Sequence, residues 1–186
     1  MNKHSLSVII GRFQPIHQGH LDQLIIPAIE QSDRVLIILG SCFSTRTIKN
    51  PFTNEERMQM IMHALQAKSY DTSNLIFQFA RDFPYDNNKW KAQILKFVHE
   101  FETDDSKIAL FGMEKDFSSF YLNFFPLWEI VEPSEHYKLS STFIRETLFS
   151  LRTPPLANDF LIKESLFLKG TPEINLQYLI VFQLIL

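Results

Sequence analysis

Two histidines three residues apart, His17 and His20, end the string Gly11-Arg12-Phe13-Gln14-Pro15-Ile16-His17-Gln18-Gly19-His20. At the entry to a helix, that spacing lets both rings present N–H donors to one oxyanion. Arg12 adds a permanent positive charge. Gly11 and Gly19 carry no Cβ, so a phosphate can come close to the backbone. A second set lies at Ser140-Ser141-Thr142-Phe143-Ile144-Arg145. Hydroxyls beside the free N–H groups of a helix start form a phosphate cradle, and Arg145, one turn in, fixes a charge there. Each set also has a plain reading, as a polar loop and as an N-cap followed by a surface arginine.

These groups need elements to hold them. Leu6 to Ile10 is a short apolar run that reads as a buried strand, and the histidine loop leaves its carboxyl end. Leu21-Asp22-Gln23-Leu24-Ile25-Ile26 begins a helix that ends near Gln31. Arg34 to Gly40 is a second continuous apolar run, the pattern of a parallel strand covered on both faces. Strand, helix and strand with short connections make a right-handed βαβ unit. In an open parallel sheet, ligands bind outside the carboxyl ends of the strands, and free N–H groups and the helix dipole favour anions there.

The loop 41–52 sits at such an end and carries Arg46 and Lys49 as its cations. Thr53-Asn54-Glu55-Glu56 is a capping box that starts a helix with Met58, Ile61, Met62 and Leu65 at core spacing. Arg57, in its first turn, reads as a solvated or paired surface residue. Leu75 to Ala80 is a third strand, followed by the loop from Arg81 to Trp90. Trp90 beside Asp86 and Asn87 is either a staple against the core or a stacking face for a flat ring. The helix from Trp90 to about Glu102 carries Ile94, Phe97, Val98 and Phe101 as a core stripe. Lys107 to Gly112 and Trp128 to Glu132 are the fourth and fifth strands, and a glycine loop follows Gly112.

Composition narrows the class. The 186 residues, 45% hydrophobic and 21% charged, suit an ordinary folded domain with a real core. A net charge of −3 gives no global attraction to nucleic acid or to an acidic membrane, so the basic residues must act locally. One cysteine, Cys42, excludes an internal disulfide and a cysteine-based zinc cluster. With neither a signal pattern nor eighteen consecutive apolar residues, a cytoplasmic location is expected. After Leu151 the chain breaks at Thr153-Pro154-Pro155, resumes helical patterning and ends on eight residues of which seven are apolar. Such an end is expected to be buried by the fold or by a partner.

The ten-residue string resembles the Gly-x-Phe-x-Pro-x-His-x-Gly-His signature of the nucleotidylyltransferase superfamily. Ser140-Ser141-Thr142-Phe143-Ile144-Arg145 resembles its Ser-Ser-Thr-x-x-Arg motif, and Gly112-Met113-Glu114-Lys115-Asp116 its loop near the adenosine. Lys49-Asn50-Pro51-Phe52-Thr53-x-x-Glu56-Arg57 narrows the likeness to the nicotinamide mononucleotide adenylyltransferases, of the archaeal type and the related bacterial two-domain enzymes. The resemblance covers roughly residues 5–150, and no signature of the second, Nudix hydrolase domain occurs.

The strand and helix pattern, like the resemblance, points to a doubly wound α/β domain of about five parallel strands over 1–150, and the patterning beyond it to a helical extension over 151–186. The resemblance implies transfer of AMP from ATP to nicotinamide mononucleotide, giving NAD and pyrophosphate, with Mg²⁺ carried by ATP and no metal held by the protein. His17, His20, Arg12 and Lys49 would act on the reacting phosphates. ATP would meet Gly11, Phe13, His17, His20, Gly112, Asp116, Ser141, Thr142 and Arg145. The nicotinamide nucleotide would meet Phe13, Arg46, Lys49, Asp86, Asn87 and Trp90. In the family an Asn three residues before a Trp binds the nicotinamide, a spacing that Asn87 and Trp90 keep. The two-domain enzymes read Tyr-Asn-Asp where this chain has Tyr85-Asp86-Asn87, so which of the two meets the amide stays open. ATP and nicotinamide mononucleotide are the expected partners, with no nucleic acid or membrane, and homo-oligomerisation is left open. The alternatives are a sibling enzyme with another acceptor, such as phosphopantetheine, and a nicotinamide-nucleotide sensor with little turnover.

Overall fold

Alternation along the strands explains the core. In β1 (His4–Gly11), Leu6, Val8 and Ile10 face one side of the sheet and Ile9 the other. β2 (Ser32–Leu39) divides in the same way, with Leu36 and Ile38 opposite Val35, Ile37 and Leu39. Both faces are covered, which is why the runs looked continuously apolar in the sequence. Each such side chain taken out of water contributes about 1.5–3 kcal/mol. The computed structural model describes residues 3–103, 106–112, 117–133 and 140–150. Asp116 and the expected extension over 151–186, with its apolar end, lie outside them.

Five strands pair in the order β3–β2–β1–β4–β5, every pair parallel. β3 is Leu75–Phe79, β4 Ile108–Phe111 and β5 Glu129–Val131. The expected doubly wound sheet is therefore present. The chain runs outward from central β1 to β3, then returns to β4 on the other side of β1. The switch point, where a crevice opens, thus lies at the carboxyl ends of β1 and β4.

The helical run after the first loop is not uniform. α1 (Gln18–His20) passes into a π-helical turn, Leu21–Ile25, and then into α2 (Ile26–Gln31). π turns inside helices are frequent at functional sites. α3 (Asn54–Ala67) starts from the expected capping box: Thr53 Oγ1 accepts from the Glu56 N–H, and Glu56 accepts from the Thr53 N–H. Its buried stripe differs from the expected one. Arg57, Met60, Ile61, Ala64 and Leu65 face the sheet, while Met58 is only partly buried against the core.

α4 (Asn87–His99) begins three residues earlier than expected, because the Asp86 carboxylate caps it by accepting from the Lys89 N–H at 2.9 Å. Its Ile94 and Val98 cover the second face of the sheet with Leu122 and Phe125. A 3₁₀ helix, Phe117–Phe124, unforeseen in the sequence, leads to β5, and α5 (Ser141–Ser150) follows. No helix among the described residues is long and apolar enough to cross a membrane.

Candidate active site

A cavity of about 650 Å³ opens at the switch point. The first loop supplies Gly11, Arg12, Phe13, Gln14, His17 and His20 to its wall. The start of α5 supplies Ser140, Ser141, Thr142 and Arg145. Asn87 and Trp90 of α4 line it too, as do Gly112 and Tyr121. Two loops some 120 residues apart in sequence therefore share one crevice with the aromatic end of α4.

His17 is 2% exposed and stacks on the half-buried His20, ring centroids 3.7 Å apart and planes 27° apart. Phe13 meets the His20 ring edge-on at 5.0 Å. It does so from a left-handed backbone (φ 47°), uncommon for a bulky residue, which folds its ring back over Gly11. A Cβ on Gly11 would lie 2.7 Å from that ring. Glycine at position 11 thus makes room for Phe13 first. Gly112 is explained in the same way, since a Cβ there would stand 2.5 Å from the Leu122 side chain.

The start of α5 is stitched to the first loop. Ser141 Oγ donates to the Pro15 carbonyl at 2.9 Å, and Arg145 Nη1 donates to the Gln14 carbonyl at 2.5 Å. Arg145 Nη2 also donates to Thr142 Oγ1 at 3.1 Å. Arg145 therefore positions as well as charges the wall. Burial holds it below the usual arginine value, and the nearby Arg12 charge pushes the same way. Two guanidiniums close enough to repel on one wall gain from a polyanion between them.

Trp90 is half-buried against Tyr121 (5.9 Å) and Phe124 (6.3 Å), and it also lines the cavity, so it is both staple and exposed aromatic face. Asn87 lines the cavity, whereas the Asp86 carboxylate is engaged as the α4 cap. Tyr121, which the sequence did not single out, donates its hydroxyl to the Ile10 carbonyl at 3.2 Å, and burial pushes it up to about 12.

The second loop stands apart from the histidines. Arg46 makes a two-toothed pair with Glu56 (2.6 and 2.7 Å) and donates to the Pro51 carbonyl. It lines a smaller cavity of about 280 Å³ that shares Ser41 with the first. Lys49 is exposed and lines neither cavity. Among the described residues, Asp82 is the one carboxylate on the main cavity's wall, and no group of three or more metal-ligating side chains occurs.

Arg57 overturns its expectation as a surface residue. It is 1% exposed, and its Nη1 donates to two carbonyls, Arg12 at 2.6 Å and Gly40 at 2.7 Å. Gln14, 1% exposed, was also missed as more than a loop residue: its amide exchanges two hydrogen bonds with the peptide of Phe52. For Arg57 a signal existed, because 57, 60, 61, 64 and 65 form one helical stripe. For Gln14 the pattern offers none.

Residues 8–147 match the family model described as cytidylyltransferase-like. The nicotinamide/nicotinic acid mononucleotide adenylyltransferase of Acinetobacter baylyi is 38% identical over 184 residues, covering 98% of this chain and 89% of the relative. The nicotinamide-nucleotide adenylyltransferase of Thermococcus kodakarensis is 33% identical over 113 residues, 59% of each chain. Among solved structures, the bifunctional NMN adenylyltransferase/ADP ribose pyrophosphatase of Francisella tularensis superposes with a TM-score of 0.74 at 31% identity, over 92% of this chain. This chain spans only 58% of that longer one. Sequence motifs, sheet order and these likenesses agree, and the chain belongs to the cytidylyltransferase-like family, in the group of the nicotinamide mononucleotide adenylyltransferases.

Proposed function

We propose that the protein transfers AMP from ATP to the 5′-phosphate of nicotinamide mononucleotide, giving NAD and pyrophosphate. One observation carries this reading: a single cavity is lined both by His17, His20, Arg12 and Arg145 and by Asn87 and Trp90. The first set suits a triphosphate, and the second suits a flat ring bearing an amide. An acceptor oxygen and an α-phosphorus held between them are in position to react.

The acceptor's phosphate oxygen forms a bond to the α-phosphorus while the bond from that phosphorus to the bridging oxygen breaks, and pyrophosphate leaves with the electron pair. No protein nucleophile is needed, so the site works by positioning and charge neutralisation. His17 and His20 donate to the α-phosphate and leaving oxygens, where charge grows in the transition state. Arg12 and Arg145 hold the phosphates, with Ser141 and Thr142 at the start of α5. Lys49 and Arg46 sit on the loop beside the site and reach the phosphates only if that loop closes on the substrate. Asn87 takes the amide and Trp90 the ring. Mg²⁺ enters as part of the MgATP substrate.

The test is an assay of NAD formation and pyrophosphate release from MgATP with nicotinamide mononucleotide, the nicotinate form, or phosphopantetheine as acceptor. NAD formation is expected. Turnover with phosphopantetheine alone, or binding without turnover, overturns the reading.

A further inference from the structure

Arg57 is a buried cation that makes no direct ion pair among the described residues, although the charges of Glu55 and Asp82 reach it from farther off. Burying such a charge is costly unless its donors are well used. They are. Nη1 bridges the carbonyls of Arg12 and Gly40, Nε donates to the Thr53 carbonyl at 3.1 Å, and Nη2 donates to Cys42 Sγ at 3.1 Å and Asn54 Oδ1 at 3.3 Å. Cys42 in turn donates its S–H to the Leu39 carbonyl at 3.0 Å, and burial pushes that thiol up, which keeps it a donor.

The two bridged carbonyls belong to the first residues beyond β1 and β2. Their chains are already joined there, the Gly40 N–H donating to the Gly11 carbonyl at 2.9 Å. A Cβ on Gly40 would lie 3.8 Å from Arg12 Cγ, so the stem of Arg12 runs alongside Gly40. Arg12 is exposed on the cavity wall, and no hydrogen bond or ion pair among the described residues holds its guanidinium there. Its backbone sets where its side chain leaves the chain, and Arg57 holds that backbone through the Arg12 carbonyl.

We propose that Arg57 is a positioning residue for ATP: it aims Arg12 at the triphosphate by locking the Arg12 and Gly40 carbonyls onto one guanidinium nitrogen. It touches no substrate and lines neither cavity. Lysine cannot replace it, because one ammonium on a flexible stem lacks the planar fork that reaches both carbonyls, the thiol and the Asn54 amide together. The inference rests on the adenylyltransferase reading, since it takes the triphosphate as the ligand of Arg12.

The experiment is a double-mutant cycle on Arg12→Ala and Arg57→Lys, with Arg57→Gln as a second, uncharged probe, all checked by thermal melts. Each Arg57 variant is expected to lower kcat/KM for ATP by about tenfold or more, as misplacing a binding group does. KM for nicotinamide mononucleotide should move by less than about twofold. In the Arg12→Ala background, either Arg57 change should cost less than about a further twofold, because residues acting as a unit are not additive. Multiplicative losses, equal losses for both substrates, or the absence of a cooperative melt in both Arg57 variants would make the role purely structural and overturn the proposal. A wild-type chain that forms no NAD sinks the functional reading itself. An active wild type with multiplicative losses sinks only this inference.

Discussion

The side chain of Gln14 and the peptide of Phe52, 38 residues apart, exchange two hydrogen bonds: Nε2 donates to the Phe52 carbonyl at 2.9 Å, and the Phe52 N–H donates to Oε1 at 3.0 Å. The Gln14 carbonyl meanwhile accepts from Arg145. One buried residue thus ties together the loop after β1, the loop after β2 and the start of α5. These segments carry Arg12, His17, His20, Lys49 and Arg145, so the spacing of those groups is set by an amide as well as by packing.

Replacing Gln14 with leucine keeps the bulk and strands a buried N–H and a buried carbonyl. An unsatisfied buried polar group costs about 1–3 kcal/mol. For a chain of this size the melting midpoint should fall by about 2–4 °C per kcal/mol. KM for ATP should rise with it. A midpoint equal to wild type would mean the clamp adds nothing.

His20→Ala should lower turnover by about a hundredfold or more while ATP still binds. The variant loses one preorganised donor to a developing charge, typically ~3 kcal/mol. It also removes the ring that His17 stacks on at 3.7 Å, so His17→Ala should show a loss of similar size rather than an independent one. Steady-state kinetics with an ATP-binding titration check both, and near-normal turnover in either variant removes the catalytic assignment.

The sheet was legible because burial on both faces leaves a plain mark, an unbroken apolar run between polar residues. Val35 to Leu39 shows it, every residue buried. The loops at the strands' carboxyl ends followed from the sheet, and with them the place of His17, His20 and Arg145. The groups that hold those loops in register were not legible. Gln14 bonds a backbone 38 residues away, and no local pattern encodes such a partner. The charge of Arg57 points to the surface, although the residue begins the stripe that Met60, Ile61, Ala64 and Leu65 continue. The start of α4 lies ahead of Trp90 because the Asp86 carboxylate caps the helix before its apolar stripe begins. Polar side chains that serve backbone are the part of this site that composition and periodicity pass over.

His4 gives a pH test away from the chemistry. Its ring is 2% exposed, and nothing among the described residues hydrogen-bonds its Nε2. Burial lowers it from 6.5 by more than the nearby Glu129 raises it, with Lys3 and Lys107 adding to the fall. The unfolded chain therefore binds the proton first as pH drops below 6.5, and stability declines from there toward the folded value. His4→Leu should flatten that decline. Glu129, held below 4.5 chiefly by the hydrogen bond from Lys3, contributes its own loss only at lower pH. Denaturation midpoints between about pH 5 and 7 measure this slope, and an unchanged slope in the variant assigns the decline elsewhere.

Trp90 separates packing from recognition. Its ring rests on Tyr121 and Phe124 and also lines the cavity beside Asn87. Trp90→Ala removes both functions, so it should lower the melting midpoint and weaken the acceptor together. The recognition part is specific. A lost stacking face costs on the order of 1 kcal/mol, or about fivefold in KM for nicotinamide mononucleotide, with KM for ATP nearly unchanged. Trp90→Phe keeps an aromatic body against Tyr121 and Phe124, so it should recover most of the midpoint. Its smaller face should recover only part of the acceptor affinity. If the two variants instead weaken ATP and the acceptor equally, in proportion to their loss of midpoint, Trp90 is a staple for α4 and the ring-binding end of the cavity must be sought at Tyr85 or Phe83, which also line it.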